Sequence, residues 1–264
     1  MKIIFIRHAE PNYNEGCLTP QGRIEAKALA DRVAGWDITK IFVSPQQRAK
    51  ETAQYSLDKL HMEAETLDFL HEFSYNVTDP TTGRYGVPWD FVPSAWTTDE
   101  NMFRLEDAFI NFPCIKENTE VKAKFDEAIN GIDSILADYG YIRKDRYYIL
   151  SSGEERFLRS TVSDNNEIRN NGKILPPGQK ETTLVFFCHL GISCLLLSHI
   201  LNIPFELLTH GFFMPTTSVT TLVSEERWSN EVYFRVQSWG DCRHLYEAGI
   251  PISPAGVFAD PFQG

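Results

Sequence analysis

The sequence predicts an α/β protein: a three-layer α/β/α sandwich around a mostly parallel central sheet, with two insertions. Three observations carry this. Short runs such as Lys2–Ile6, Ile41–Val43 and "TLVFF" at 183–187 are apolar on both faces, as in strands covered from both sides. Stretches with helical periodicity alternate with them. No linker-like stretch divides the 264 residues, so 1–264 reads as one domain.

The elements follow in order. Lys2–Ile6 reads as a central strand. In "CLTPQGRIEAKALADRVAG", Thr19 is an N-cap and Pro20 the first helical residue. Ile24, Ala28, Leu29 and Val33 recur on one face, and Gly35 ends the helix. Ile41–Val43 is a second strand. Ser44, Pro45 and Gln47 resemble a capping box opening a second helix. A third strand is placed at Thr66–Leu70.

Residues 74–116 are rich in aromatic residues, Pro, Gly, Thr and Asp, and read as an excursion and candidate lid. A helix is then expected with Val121, Phe125, Ile129, Ile132 and Leu136 on one face. Residues 141–181 form the second insertion, where "RYYILSS" and "ERFLRSTV" are expected to pair. The run "TLVFFCHLGISCLLLSHILNIP" reads as a buried strand and an apolar helix. "TTSVTTLVSEERWSNEVYFRVQSWG" reads as two strands, and the tail after Gly249 as irregular.

Composition narrows the function. A hydrophobic share of 42% and a charged share of 23% suit a soluble globular chain. A net charge of −11 without a basic run argues against nucleic acid and anionic membrane surfaces. No stretch reads as a membrane span. Five cysteines without a CxxC suggest neither a disulfide framework nor a zinc site, and the expected setting is the cytoplasm.

The chemistry sits at strand ends, where open α/β sheets bind ligands. The first strand ends on Arg7 and His8. The second leads to Arg48 in the first turn of a helix. A later one ends on His189, just before another helix. If these strands are neighbours, two guanidiniums and two imidazoles converge. Arginines supply forked donors for phosphate oxygens, and a neutral histidine can attack phosphorus. The second histidine can stabilise charge on the equatorial oxygens. Such a site needs no metal and no cofactor.

The motifs that carry these residues resemble the histidine phosphatase superfamily in its phosphoglycerate mutase-like branch. They are "RHAEPNYN", "LTPQGRIEA", "SPQQRAKETA", "LHE" and "VFFCHLG", with "TTSVTTL" and "GDCRHL" later. The resemblance runs from residue 2 to about 245 and leaves both insertions unmatched. It implies that His8 is the nucleophile, that Arg7, Arg48 and His189 bind the phosphoryl group, and that Asn14 adds a hydrogen bond. It implies Glu72 as the acid and later base. Two departures stand out. Ala9 and Leu190 occupy positions where the family carries glycine.

The expected function is metal-independent hydrolysis of a small phosphomonoester through a phosphohistidine on His8. The alternatives are phosphoglycerate mutase-type transfer and a non-catalytic relative that binds phospholigands. Only "EGC" separates Asn14 from Leu18, where the cofactor-dependent mutases carry a longer segment, so the phosphatase is favoured. The expected partner is a small phosphorylated substrate. Oligomeric state is not legible.

Blander readings compete at several positions. Glu10 and Asp68 rival Glu72 as the acid. His61, His71, His199, His210 and His244 read as structural or surface residues, with His244 a candidate brace for the site. The aromatic residues of 74–116 read mainly as a satellite core beneath a long loop. A few are expected to line a lid, with Arg84 or Arg104 meeting a second anionic group.

Overall fold

The computed structural model describes residues 1–103, 107–151, 181–226, 230–257 and 259–263, with the Trp89 side chain set aside. Strand β1 (Lys2–Arg7) leads through a small ribbon, β2 (Pro11–Asn12) and β3 (Cys17–Leu18), to helix α1 (Pro20–Val33). Then come β4 (Lys40–Val43), α2 (Gln47–Leu60) and β5 (Ala64–Thr66). The segment 74–116 holds the ribbon β6 (Val77–Thr78) and β7 (Tyr85–Gly86). Its described residues also include the short helices α3 (Pro93–Thr97), α4 (Ala108–Asn111) and α5 (Pro113–Lys116). Helix α6 (Thr119–Asp138) precedes the hairpin β8 (Tyr141–Lys144) and β9 (Tyr147–Leu150). The chain continues with β10 (Thr183–Cys188), α7 (Leu190–Leu201) and α8 (Phe205–Gly211). It closes with β11 (Val219–Glu226), β12 (Glu231–Asp241) and α9 (Arg243–Glu247).

Among the described residues the main sheet has the order β5-β4-β10-β1-β11-β12-β9-β8. The first four strands pair in parallel, and the remaining four continue antiparallel. Six of the eight, all but β11 and β9, therefore run in the direction of β1. Alternation of side chains explains the layers. Ile4, Ile6, Ile41, Val43, Val185 and Phe187 face Leu29 and Val33 of α1 and Ala49 and Ala53 of α2. Ile3, Phe5, Phe42, Leu184 and Phe186 face the other way, toward Ile132, Leu136, Leu195 and Phe205. Phe186 stacks between Phe5 at 5.3 Å and Phe42 at 4.9 Å. Each such buried side chain contributes about 1.5–3 kcal/mol. This two-sided burial puts β4, β10 and β1 side by side, with their carboxyl ends together.

Helix α1 starts as the sequence predicts, with Thr19 Oγ1 accepting from the Gly22 N–H at 2.9 Å. Gly22 is required sterically, because a Cβ there would stand 2.2 Å from the Glu10 carbonyl oxygen. The predicted face is buried at Leu29 and Val33 and half-buried at Ala28, but not at Ile24. Ile24 is exposed, and Glu25, Ala26, Leu29, Ala30 and Val33 are buried. The close approach of Gly22 to Glu10 rotates the helix to this setting. On α6 the predicted face is correct, with Val121, Ile132 and Leu136 buried and Phe125 and Ile129 packed against them.

Two further expectations change. The third strand is Ala64–Thr66, and Asp68–Leu70 is a 3₁₀ turn. Residues 141–150 are not a detour but two strands of the main sheet. β9 pairs with β8 on one edge and with Glu231 and Val232 of β12 on the other. The expected partner "ERFLRSTV" lies outside the described residues, as does the rest of 152–180. The turn expected near residues 229 and 230 lies partly outside them too.

The aromatic residues of 74–116 form no separate satellite. Phe91, Trp96, Phe109 and Phe112 are buried in the same core as α6, α7 and α8. Trp96 lies 4.7 Å from Phe112, and Phe109 lies 4.7 Å from Phe205.

Candidate active site at the strand ends

Pairing of β1 with β10 in register, Arg7 opposite Cys188, brings the two histidines together. The His8 N–H donates to the Cys188 carbonyl at 2.9 Å. The imidazoles of His8 and His189 then lie 5.0 Å apart between ring centres. Both are buried, at 1% and 0% exposure.

Each group is held by identifiable contacts. His8 Nδ1 lies 2.7 Å from the Ala9 carbonyl oxygen. A carbonyl can only accept, so Nδ1 carries the proton and Nε2 keeps a free lone pair. Burial holds His8 well below its ordinary value of 6.5, and the Arg7 and Arg48 charges push the same way. His189 is lowered likewise, first by burial and then by His8 and Arg48. Both rings are neutral at pH 7.

Arg7 is 3% exposed. Its Nη1 donates to the Met214 carbonyl at 2.7 Å and its Nη2 to the Ala255 carbonyl at 2.9 Å. The irregular tail thus reaches the site. Arg48 opens α2, and its Nη2 donates to Gln46 Oε1 at 3.3 Å. The same Gln46 oxygen accepts the Glu72 N–H at 2.9 Å. Glu72 Oε1 accepts from the N–H groups of Phe73 at 2.8 Å and Ile192 at 3.0 Å, the latter in the first turn of α7. Glu72 is also one of the residues that line the cavity beside it.

That cavity has a volume of about 550 Å³. Arg7, Arg48, Glu72, Tyr13, Gln46 and Leu190 line it, together with Ser74, Val87, Asp90 and Val257. The sequence-predicted Arg7, His8, Arg48, Glu72 and His189 are brought together. Asn14 is not with them. It is exposed on the β2–β3 turn, and its neighbour Tyr13 lies over Arg48 with Cζ 5.9 Å from the ring centre. Arg84 is exposed and outside the cavity lining. Arg104 lies outside the described residues. The lid expected from aromatic side chains is built otherwise: Phe91, Trp96, Phe109 and Phe112 turn to the core, and Ser74, Val87 and Asp90 meet the cavity.

The rival acids have other duties. Glu10 Oε1 accepts from Thr19 Oγ1 at 2.7 Å, supporting the α1 cap. Asp68 is exposed on its 3₁₀ turn. Ala9 packs with Leu18 and Ala26, so its methyl points away from the cavity, whereas Leu190 forms part of the wall. His199 is bound to Asp133 at 2.9 Å, and His210 meets the edge of Trp96. His61 is exposed at the end of α2. His71 is exposed with Nδ1 3.1 Å from the Glu72 carbonyl.

His244 does brace the site. Its Nε2 lies 3.0 Å from Thr217 Oγ1. The Thr217 N–H reaches the carbonyls of Arg7 at 3.1 Å and His8 at 3.3 Å. Thr217 holds φ at 56°, an uncommon conformation for a β-branched residue that costs about 1–3 kcal/mol. Thr52 braces from the other side. Its Oγ1 accepts the Ala9 N–H at 2.9 Å and donates to the Arg48 carbonyl at 2.7 Å.

Sequence reasoning missed Ser44, Gln46 and Thr52 as site residues, although all three stand in "SPQQRAKETA". In sequence Ser44 resembles a capping residue, yet the N-cap of α2 is Gln46 and makes no side-chain cap bond. Ser44 Oγ instead lies 2.7 Å from His189 Nε2. Tyr13 and Asp90 had no signal beyond their neighbours.

A strand-end cluster of two buried neutral imidazoles and two guanidiniums can hold an anion and offer it an unprotonated ring nitrogen. Residues 3–100 match the family described as histidine phosphatase superfamily, branch 1. No curated protein sequence matches it. Solved structures share the fold across nearly the whole chain. A histidine-to-alanine mutant of phosphoserine phosphatase from Entamoeba histolytica, in complex with phosphoserine, has a TM-score of 0.52 at 18% identity. That match covers 92% of this chain and 98% of the other. Mycobacterial glucosyl-3-phosphoglycerate phosphatase, in complex with VO3, scores 0.51 at 16% identity, with 90% and 98% covered. Alpha-ribazole phosphatase from Shigella flexneri scores 0.51 at 15% identity, with 92% and 97% covered. At these identities the likeness is one of fold.

Proposed function

We propose that this chain is a phosphatase that hydrolyses a small phosphomonoester through a phosphohistidine on His8. One observation carries the reading. His8 is neutral, its proton is held on Nδ1 by the Ala9 carbonyl, and its free Nε2 belongs to a buried cluster with Arg7, Arg48 and His189. The matched superfamily and the phosphatases that share the fold support it.

Nε2 attacks phosphorus and the ester P–O bond breaks, leaving the phosphoryl group on His8 and the electron pair on the departing alkoxide. Glu72, in its protonated form, gives that oxygen a proton. Water then attacks the phosphohistidine, Glu72 takes up a proton from it, and inorganic phosphate and neutral His8 are released. Arg7, Arg48 and His189 hold the equatorial oxygens, where charge develops. The cavity admits a small leaving group. Asp90 lines it and Arg84 stands outside the lining, so a second anionic group on the substrate finds no third arginine among the described lining residues. The five unpaired cysteines fit a cytoplasmic setting, and no helix among the described residues is long and apolar enough to cross a membrane.

The test is phosphate release from p-nitrophenyl phosphate in EDTA by wild type and His8→Ala. Turnover by wild type and a loss of at least about 10⁴-fold in the variant are expected. Full loss in EDTA that zinc or magnesium restores overturns the metal-independent reading. Equal turnover by both proteins overturns the role of His8. Binding of phosphate without turnover points to the non-catalytic relative, and transfer between hydroxyls to a mutase.

A further inference from the structure

We propose that Ser44 is a positioning residue that fixes His189 as its Nδ1–H tautomer, so that His189 presents a proton to the phosphoryl oxygens. This rests on the phosphohistidine reading above and adds a residue that the pattern of arginines and histidines does not contain.

The argument is one of hydrogen-bond direction. His189 Nε2 lies 2.7 Å from Ser44 Oγ, and its Nδ1 is buried without a partner among the described residues. Nδ1 is therefore the ring nitrogen left to meet a ligand beside His8. Ester phosphoryl oxygens accept hydrogen bonds, so a neutral imidazole helps them only through a nitrogen that bears a proton.

Ser44 decides which nitrogen that is. Its hydroxyl is buried at the end of β4, where its own N–H donates to the Phe187 carbonyl at 2.9 Å. The Gln46 N–H points at Ser44 Oγ from 3.3 Å and can only donate. Among the described residues the hydroxyl proton then has one acceptor within reach, His189 Nε2. With Ser44 donating to Nε2, the imidazole proton resides on Nδ1. The opposite arrangement, Nε2–H donating to Oγ, strands the serine proton in a dry interior and turns a lone pair toward the phosphoryl oxygens. Each unmade buried hydrogen bond is costly, so the first arrangement prevails.

The backbone thus orients a serine, the serine orients an imidazole, and the imidazole faces the reacting group. This also accounts for Ser44 standing two residues ahead of Gln46: its capping geometry is spent on a histidine from another strand.

The experiment is long-range ¹H–¹⁵N NMR of the full chain with labelled histidines. The His189 signals are assigned by their loss in His189→Gln, and the tautomer is read from the two nitrogens. Wild type is expected to show protonated Nδ1 and unprotonated Nε2. Ser44→Ala is expected to move His189 to a mixture or to Nε2–H, while Ser44→Thr keeps the wild-type pattern. Turnover should fall roughly 10- to 100-fold in Ser44→Ala and recover in Ser44→Thr, in line with loss of one oriented donor. Nε2–H in wild type, or an unchanged tautomer in a folded Ser44→Ala, overturns the proposal. The wild-type measurement stands even if the alanine variant does not fold. Because the tautomer is read without turnover, its failure is distinct from failure of the phosphatase reading: an inactive protein with the Nδ1–H form sinks only the latter.

Discussion

The carboxyl edge of the parallel strands and the segment 74–116 above it face the same cavity, and they are built by opposite means. At the edge, polar groups are buried and tied down. Arg7 is held by two main-chain carbonyls, His8 by a third, and His189 by a serine. In the segment above, large apolar groups are buried instead. Phe91, Trp96, Phe109 and Phe112 are drawn into the core of α6, α7 and α8, and the small or polar Ser74, Val87 and Asp90 are left to the cavity. The difference teaches that the edge sets the chemistry and the upper segment sets the shape above it. Altering one should not imitate altering the other.

The strongest way to break that division is Glu72→Gln, at the junction of the two. For an alkyl phosphate, whose leaving oxygen needs a proton, kcat should fall about 10²- to 10⁴-fold. For p-nitrophenyl phosphate, whose leaving group needs none, the first step should fall far less, as a burst of nitrophenolate would show. Equal losses in the first step for both substrates would deny Glu72 its acid role and leave it a structural support for the first turn of α7.

A second test strikes the upper segment alone. Trp96→Ala removes a buried ring that stacks on Phe91 at 5.5 Å and lies 4.7 Å from Phe112. The expected cost is about 3–5 kcal/mol of stability, read by denaturant unfolding. In the protein that remains folded, KM should rise while inhibition by inorganic phosphate, held at the edge, changes little. A parallel loss of phosphate binding would show that the two regions are one unit.

The smallest expected effect is a shift along the pH axis, and it sharpens the account of the edge. In the proposed reaction, attack requires neutral His8. Its ring is lowered well below 6.5 by burial and by the neighbouring guanidiniums, so lowering the pH through 6.5 should leave it unprotonated. The acid limb of kcat/KM, corrected for ionisation of the substrate, should therefore fall below the range of an ordinary histidine. An inflection near 6.5 would mean a nucleophile open to solvent. Arg48→Gln removes one charge that lowers His8, so it should move the limb upward while weakening substrate binding.

The sequence alone was enough for the alternating layers and for four of the grouped residues, and the reason is local. A strand buried on both faces announces itself by apolar runs, and the residue at its end is known once the run stops; Arg7, His8 and His189 stand at such ends, and Arg48 one helical turn beyond another. Adjacent carboxyl ends then follow from a parallel sheet. Tertiary structure alone decided the rest, because those features depend on partners distant in the chain. Ile24 is exposed since Gly22 closes on the Glu10 backbone. Residues 141–150 join the sheet because β12 offers them an edge. Phe109 joins the core, with Phe91, Trp96 and Phe112 packed beside it, because α8 presents Phe205. Ser44, which by itself resembles a helix cap, becomes part of the site only when β10 lies beside β4 and delivers His189 to its hydroxyl.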